Sequence, residues 1–105
     1  MTKLIKLLSV SLFLLTCNYS ANAQTYTTKS GYAGCINKAY LDKYIKYAVD
    51  KDYDACNVLT NNGYCFSLKS GVTVYLEDTS WGSVEIRPKG LTGTIWTVME
   101  AISRD

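Results

Sequence analysis

Residues 64–88 read YCFSLKSGVTVYLEDTSWGSVEIRP, and this stretch decides the fold. Tyr64, Phe66 and Leu68 alternate with Cys65, Ser67 and Lys69, and after a Ser70-Gly71 turn Val72, Val74 and Leu76 alternate with Thr73, Tyr75 and Glu77. Alternation with a period of two marks strands that bury one face. Residues 78–82 (DTSWG) read as a hairpin loop, and Val84 and Ile86 then alternate with Glu85 and Arg87 until Pro88-Lys89-Gly90 ends the strand, where proline is tolerated. Residues 94–98 predict a fourth strand, and 98–102 a short helical turn or a last strand. Strands are thus expected over about 64–69, 72–77, 83–88 and 94–98.

Upstream the period lengthens. Lys38, Asp42, Lys46 and Asp50 recur every four residues, opposite a stripe of Leu41, Ile45, Ala48 and Val49, with Asn37 placed to cap. This spacing predicts a helix over 38–50. Asp52 is the next capping residue, and a second helix over about 53–61 carries Ala55, Cys56, Val58 and Leu59 before Asn61-Asn62-Gly63 stops it. Residues 24–36 are mostly polar, hold two glycines and show no period, which reads as an N-terminal arm or loop. The expected fold is one α+β domain over 37–105, an N-terminal two-helix hairpin followed by an antiparallel four- to five-stranded meander.

Residues 1–23 carry the three parts of an export signal: Lys3 and Lys6, the apolar run Leu7–Leu15, and small residues at Ala21-Asn22-Ala23. The expected product is soluble, begins at Gln24 and resides in the periplasm or outside the cell. The competing reading is a lipoprotein through Cys17, because Leu14-Leu15-Thr16-Cys17 loosely follows a lipobox. No later segment is apolar enough to span a bilayer. Of the 105 residues, 82 follow the signal, and they hold nine bases and nine acids. Such a balance leaves no electrostatic footprint for nucleic acid. The chain has no histidine, which removes imidazole acid–base chemistry, Ser-His and Cys-His dyads, and imidazole zinc sites. The acid pairs Asp50/Asp52/Asp54 and Glu77/Asp78 come with no nucleophile signature, phosphate loop or metal spacing. No enzyme, cofactor or metal is expected.

Cys35, Cys56 and Cys65 remain after the signal. In an oxidising compartment three thiols imply one disulfide and one free cysteine. An antiparallel helix hairpin brings the start of the first helix near the exit of the second, which favours Cys35 with Cys65 over Cys56 with Cys65. A loop of about 30 residues closed this way stabilises by roughly 3–4 kcal/mol in the chain-entropy description. Cys56, among Ala55, Val58 and Leu59, reads as a buried small hydrophobe, as a reactive thiol in a first helical turn, or as a partner in intermolecular pairing.

The residues Leu68-Lys-Ser-Gly-Val-Thr-Val-Tyr75, Gly82-Ser-Val-Glu-Ile-Arg87, Ile95-Trp-Thr-Val98 and Glu100-Ala-Ile102 resemble bacterial SH3-like modules over about 40 of the 82 residues. Those modules are small, strongly bent β-barrels whose last strands flank a 3₁₀ turn. The two-helix segment in front departs from a plain SH3-like domain. The resemblance implies a binding module that grips peptides, cell-wall material or protein partners.

Two aromatic sets are the candidate contact surfaces. Tyr40, Tyr44 and Tyr47 fall at i, i+4, i+7 on the first helix, either widening its packed face or forming an exposed patch. Trp81 sits in the polar hairpin loop beside outward-facing Tyr75, Glu85 and Arg87, as a binding anchor or as part of local packing with an Arg87 cation–π pair. Trp96 reads as core. The function expected is that of an exported, non-enzymatic interaction module for another protein of the cell envelope, of the inhibitor or immunity type. The alternative is a cell-wall or peptide ligand module with an aromatic groove near Tyr75 and Trp81.

Overall fold

The computed structural model describes residues 24–105; residues 1–23, where an export signal is expected, lie outside the described residues together with Cys17. Along the chain run β1 (Thr25–Thr28), β2 (Ala33–Cys35), α1 (Lys38–Val49), α2 (Tyr53–Asn61), β3 (Cys65–Ser67), β4 (Thr73–Ser80), β5 (Ser83–Pro88), β6 (Ile95–Val98), a 3₁₀ turn (Met99–Ala101) and β7 (Ile102–Arg104). The fold is α+β, with the seven strands in one antiparallel sheet ordered β3-β2-β6-β5-β4-β1-β7. No helix among the described residues is long and apolar enough to cross a membrane.

Two expectations require correction. The stretch 24–36 is not an arm or loop, because it contributes β1 and β2, so strands stand before the helix pair as well as after it. Nor do the later strands form one meander. Only β4, β5 and β6 follow one another in space, while β3 pairs with β2, and β1 joins β4 to β7. The reason lies in Thr28, the buried residue of β1. Its hydroxyl donates to the Lys69 carbonyl at 2.6 Å and accepts the Val72 amide at 2.9 Å. A polar side chain faces inward here because its hydrogen bonds are complete, and a search for apolar alternation passes over it.

Local chemistry sets the helix ends. The Asn37 side chain accepts the Tyr40 amide at 2.8 Å to start α1, and Asp52 accepts the Ala55 amide at 3.2 Å to start α2. At the end of α2 the Gly63 amide donates to the Thr60 carbonyl and the Tyr64 amide to the Leu59 carbonyl, with Gly63 at φ 75°. That is the paired closure of a left-handed helix end. The end of α1 has the same form, with Lys51 to Ala48 and Asp52 to Tyr47, but Lys51 holds the left-handed position at φ 58°. Val49, placed in the apolar stripe by its spacing, is instead 75% exposed at the last helical position.

Burial divides into two cores. Cys35, Leu41, Leu59 and Cys65 form one between the helix pair and the paired strands β2 and β3, with Tyr40, Tyr44, Ile45, Tyr47 and Trp96 packed around it. Val74, Val84, Ile86 and Ile102 form the other on the main strands, supported by Tyr26, Val72, Leu76 and Ile95. Cys35 and Cys65 are directly opposed in β2 and β3 and are joined by a disulfide.

Candidate functional site

The β4–β5 hairpin is longer, and its loop tighter, than the sequence suggests. β4 continues through Ser80, which faces Ser83, so the loop is Trp81-Gly82 alone rather than residues 78–82. Both loop residues have positive φ, 50° at Trp81 and 83° at Gly82. This is the two-residue turn whose twist matches antiparallel strands, and its first position favours asparagine, aspartate or glycine. A bulky aromatic in the left-handed region is a steric outlier. Trp81 is also fully exposed, at 101%, so no packing compensates for the strain. The carbonyl of Gly82 accepts the Met99 amide at 2.9 Å, which ties the tip to the 3₁₀ turn.

Tyr75 and Arg87 lie elsewhere on the same hairpin. They face each other across β4 and β5, and the Arg87 guanidinium sits 4.8 Å from the Tyr75 ring centre. Arg87 Nε also donates to Glu77 at 2.7 Å and a terminal nitrogen to the Leu91 carbonyl at 3.0 Å. Glu77 can reach Arg87 because the register shifts between Leu76 and Asp78, leaving Glu77 as the extra residue of a bulge. The cation is therefore occupied locally. Six residues separate Tyr75 from Trp81, about 20 Å at roughly 3.3 Å per residue, so the two do not line one groove.

The tyrosines of α1 have different surroundings. All three pack half-buried against the helix-side core. Tyr40 stacks on Tyr64, with ring centres 4.3 Å apart and planes within 4°. Desolvation, followed by the charge and hydrogen bond of the Tyr64 phenol, raises the Tyr40 phenol above its ordinary value. Tyr44 borders an open apolar groove of about 330 Å³, shared with Tyr32, Ile45, Val49 and Val98. Nothing in the sequence marked this groove, since its walls come from the β1–β2 connection, α1 and β6.

Cys56 is free and buried, and its thiol donates to the Tyr44 carbonyl at 3.8 Å. Burial and then the Asp52 carboxylate push its pKa up, which keeps it a thiol rather than a nucleophilic thiolate. Among the described residues no cluster of three or more acidic or cysteine side chains could hold a metal ion. No family model, curated protein or solved structure matches the chain.

Proposed function

We propose that this chain is an exported, non-enzymatic interaction module that seizes another protein of the envelope with Trp81, in the manner of an inhibitor or immunity protein. The observation that carries the reading is Trp81 itself, fully exposed at φ 50° in a turn position that favours small or polar residues. A strained, exposed tryptophan on a rigid hairpin lowers stability in isolation, and strain of this kind concentrates at functional sites. Its large amphipathic ring, held in place before contact, is the kind of anchor that dominates protein interfaces. A disulfide within the fold suits the periplasm or the exterior, the destination to which the signal over residues 1–23 points. The 3₁₀ turn between β6 and β7 adds weight to an SH3-like reading of the main strands.

Capture from envelope extract tests the proposal, using the protein, Trp81→Asn and Tyr44→Ala. A protein partner recovered by the parent, and at least tenfold less by Trp81→Asn, is the expected result. Equal recovery by Trp81→Asn removes the anchor, and turnover of a substrate by the purified protein removes the non-enzymatic reading.

A further inference from the structure

A second cavity, about 200 Å³, lies between β3 with the segment after it and the main strands. Phe66, Leu68, Val72, Pro88 and Ile95 line it together with the fully buried Ile86. It shares no residue with the α1 groove or the Trp81 tip.

Two observations define what would fit. The first is Gly34 of β2, which lies against three of the lining side chains. A Cβ there would lie 3.0 Å from Leu68 Cδ2 and 3.3 Å from both Ile95 Cδ1 and Phe66 Cε2. Gly34 is not in the left-handed region, so backbone conformation does not require glycine at this position. What the missing Cβ provides is room under three side chains that line the cavity. The second observation is charge. Lys69 is the one charged residue that lines the cavity. It is exposed, and among the described residues it is in no ion pair. No acidic residue lines the cavity. Glu85, next to Ile86, accepts the Thr94 hydroxyl at 2.7 Å on the other side of its strand.

An apolar interior beside one exposed, unpaired ammonium fits an anionic amphiphile. At roughly 30 Å³ per methylene-sized unit, the volume a water occupies in the liquid, the interior holds about six or seven carbons. We propose that this cavity binds a medium-chain carboxylate, its tail between Phe66, Leu68 and Ile95 and its carboxylate at Lys69. This site is independent of the Trp81 reading.

The test is a titration of the protein with octanoate, followed through the methyl resonances of Leu68, Val72, Ile86 and Ile95. Saturable shifts centred on those methyls are expected, with butyrate binding at least tenfold more weakly and octylammonium at least threefold more weakly. Lys69→Gln is expected to weaken octanoate about threefold, the scale of one exposed ion pair, and to leave octanol unaffected. Gly34→Ala, which displaces the Leu68, Ile95 and Phe66 side chains that line the cavity, is expected to weaken octanoate tenfold or more. Should that variant not fold, the headgroup and tail-length comparisons still decide. No saturable shift with millimolar octanoate overturns the proposal. So does octylammonium binding as tightly as octanoate, or a folded Gly34→Ala that binds octanoate unchanged.

Discussion

Replacing Trp81 with asparagine is expected to make the protein more stable while abolishing capture of its partner. The left-handed region costs a bulky residue about 1–2 kcal/mol, and asparagine tolerates it through local hydrogen bonding. At φ 50° and 83° the turn has the geometry that Asn-Gly favours. The indole is fully exposed, so its removal sacrifices no packing. The net gain is about 1 kcal/mol, which in a domain of this size raises the melting temperature by roughly 4–8 °C. Thermal and urea unfolding of parent and variant measure it, with an unchanged urea slope showing that the same surface is exposed on unfolding. A variant that melts below the parent refutes the reasoning, because the indole would then be making contacts that stabilise the fold. A more stable variant that still captures the partner refutes the role while leaving the strain argument intact.

Other perturbations address the frame. Thr28→Val keeps the shape but orphans the Lys69 carbonyl and the Val72 amide; a loss of about 2–3 kcal/mol in urea unfolding is expected. Lys51→Gly relieves the left-handed helix end at φ 58° and is expected to raise stability by about 0.5–1 kcal/mol. Hydrogen bonds from Thr27 and then Thr25 hold the Asp105 carboxyl below its ordinary value of 3.8. Their stabilisation is complete above that value and is lost as the pH falls below it through the folded pKa. Acid unfolding of Asp105→Asn is expected to lack that component. Replacing Cys35 and Cys65 together with alanine is expected to cost about 3–4 kcal/mol, and circular dichroism should show helix melting before strand.

The helices were legible because period and caps agree: Asn37 and Asp52 begin them, and Gly63 ends the second. The middle strands were legible from Val74, Val84 and Ile86, which alternate and are buried. β2 was hidden because it is three residues long and its two buried residues, Gly34 and Cys35, are adjacent and small, so they show no alternation. β1 was hidden because its partners are distant in sequence, Tyr26 facing both Val74 and Arg104. The extension of β4 was hidden by the bulge at Glu77, which shifts the alternation by one, so Thr79 and not Asp78 faces Val84. For the same reason Trp81 stood out as an aromatic in a polar loop, whereas its left-handed backbone did not. The closeness of Tyr75 and Arg87 followed from strand pairing, but their distance from Trp81 depended on hairpin length.

The two cores bear on where the proposed anchor sits. From Lys29 to Ser70 the chain leaves the main strands and returns to its point of departure, since Thr28 donates to the Val72 carbonyl and accepts the Gly71 amide at 2.8 Å. Within that excursion the helices are 12 and 9 residues long, too short to hold in water without packing. The Cys35–Cys65 bridge closes it near its mouth. Its ties to the frame include the Cys35–Trp96 pairing and the Thr97 hydroxyl donating to the Ala33 carbonyl at 2.8 Å. The α1 groove straddles the boundary, with Val98 on the frame and Tyr44, Ile45 and Val49 on the excursion. The Trp81 turn lies wholly within the frame, closed by Ser80 and Ser83 and fastened to Met99. On the proposed reading the indole is thus presented from a turn tied at both ends, which suits a side chain that must be held in place before contact.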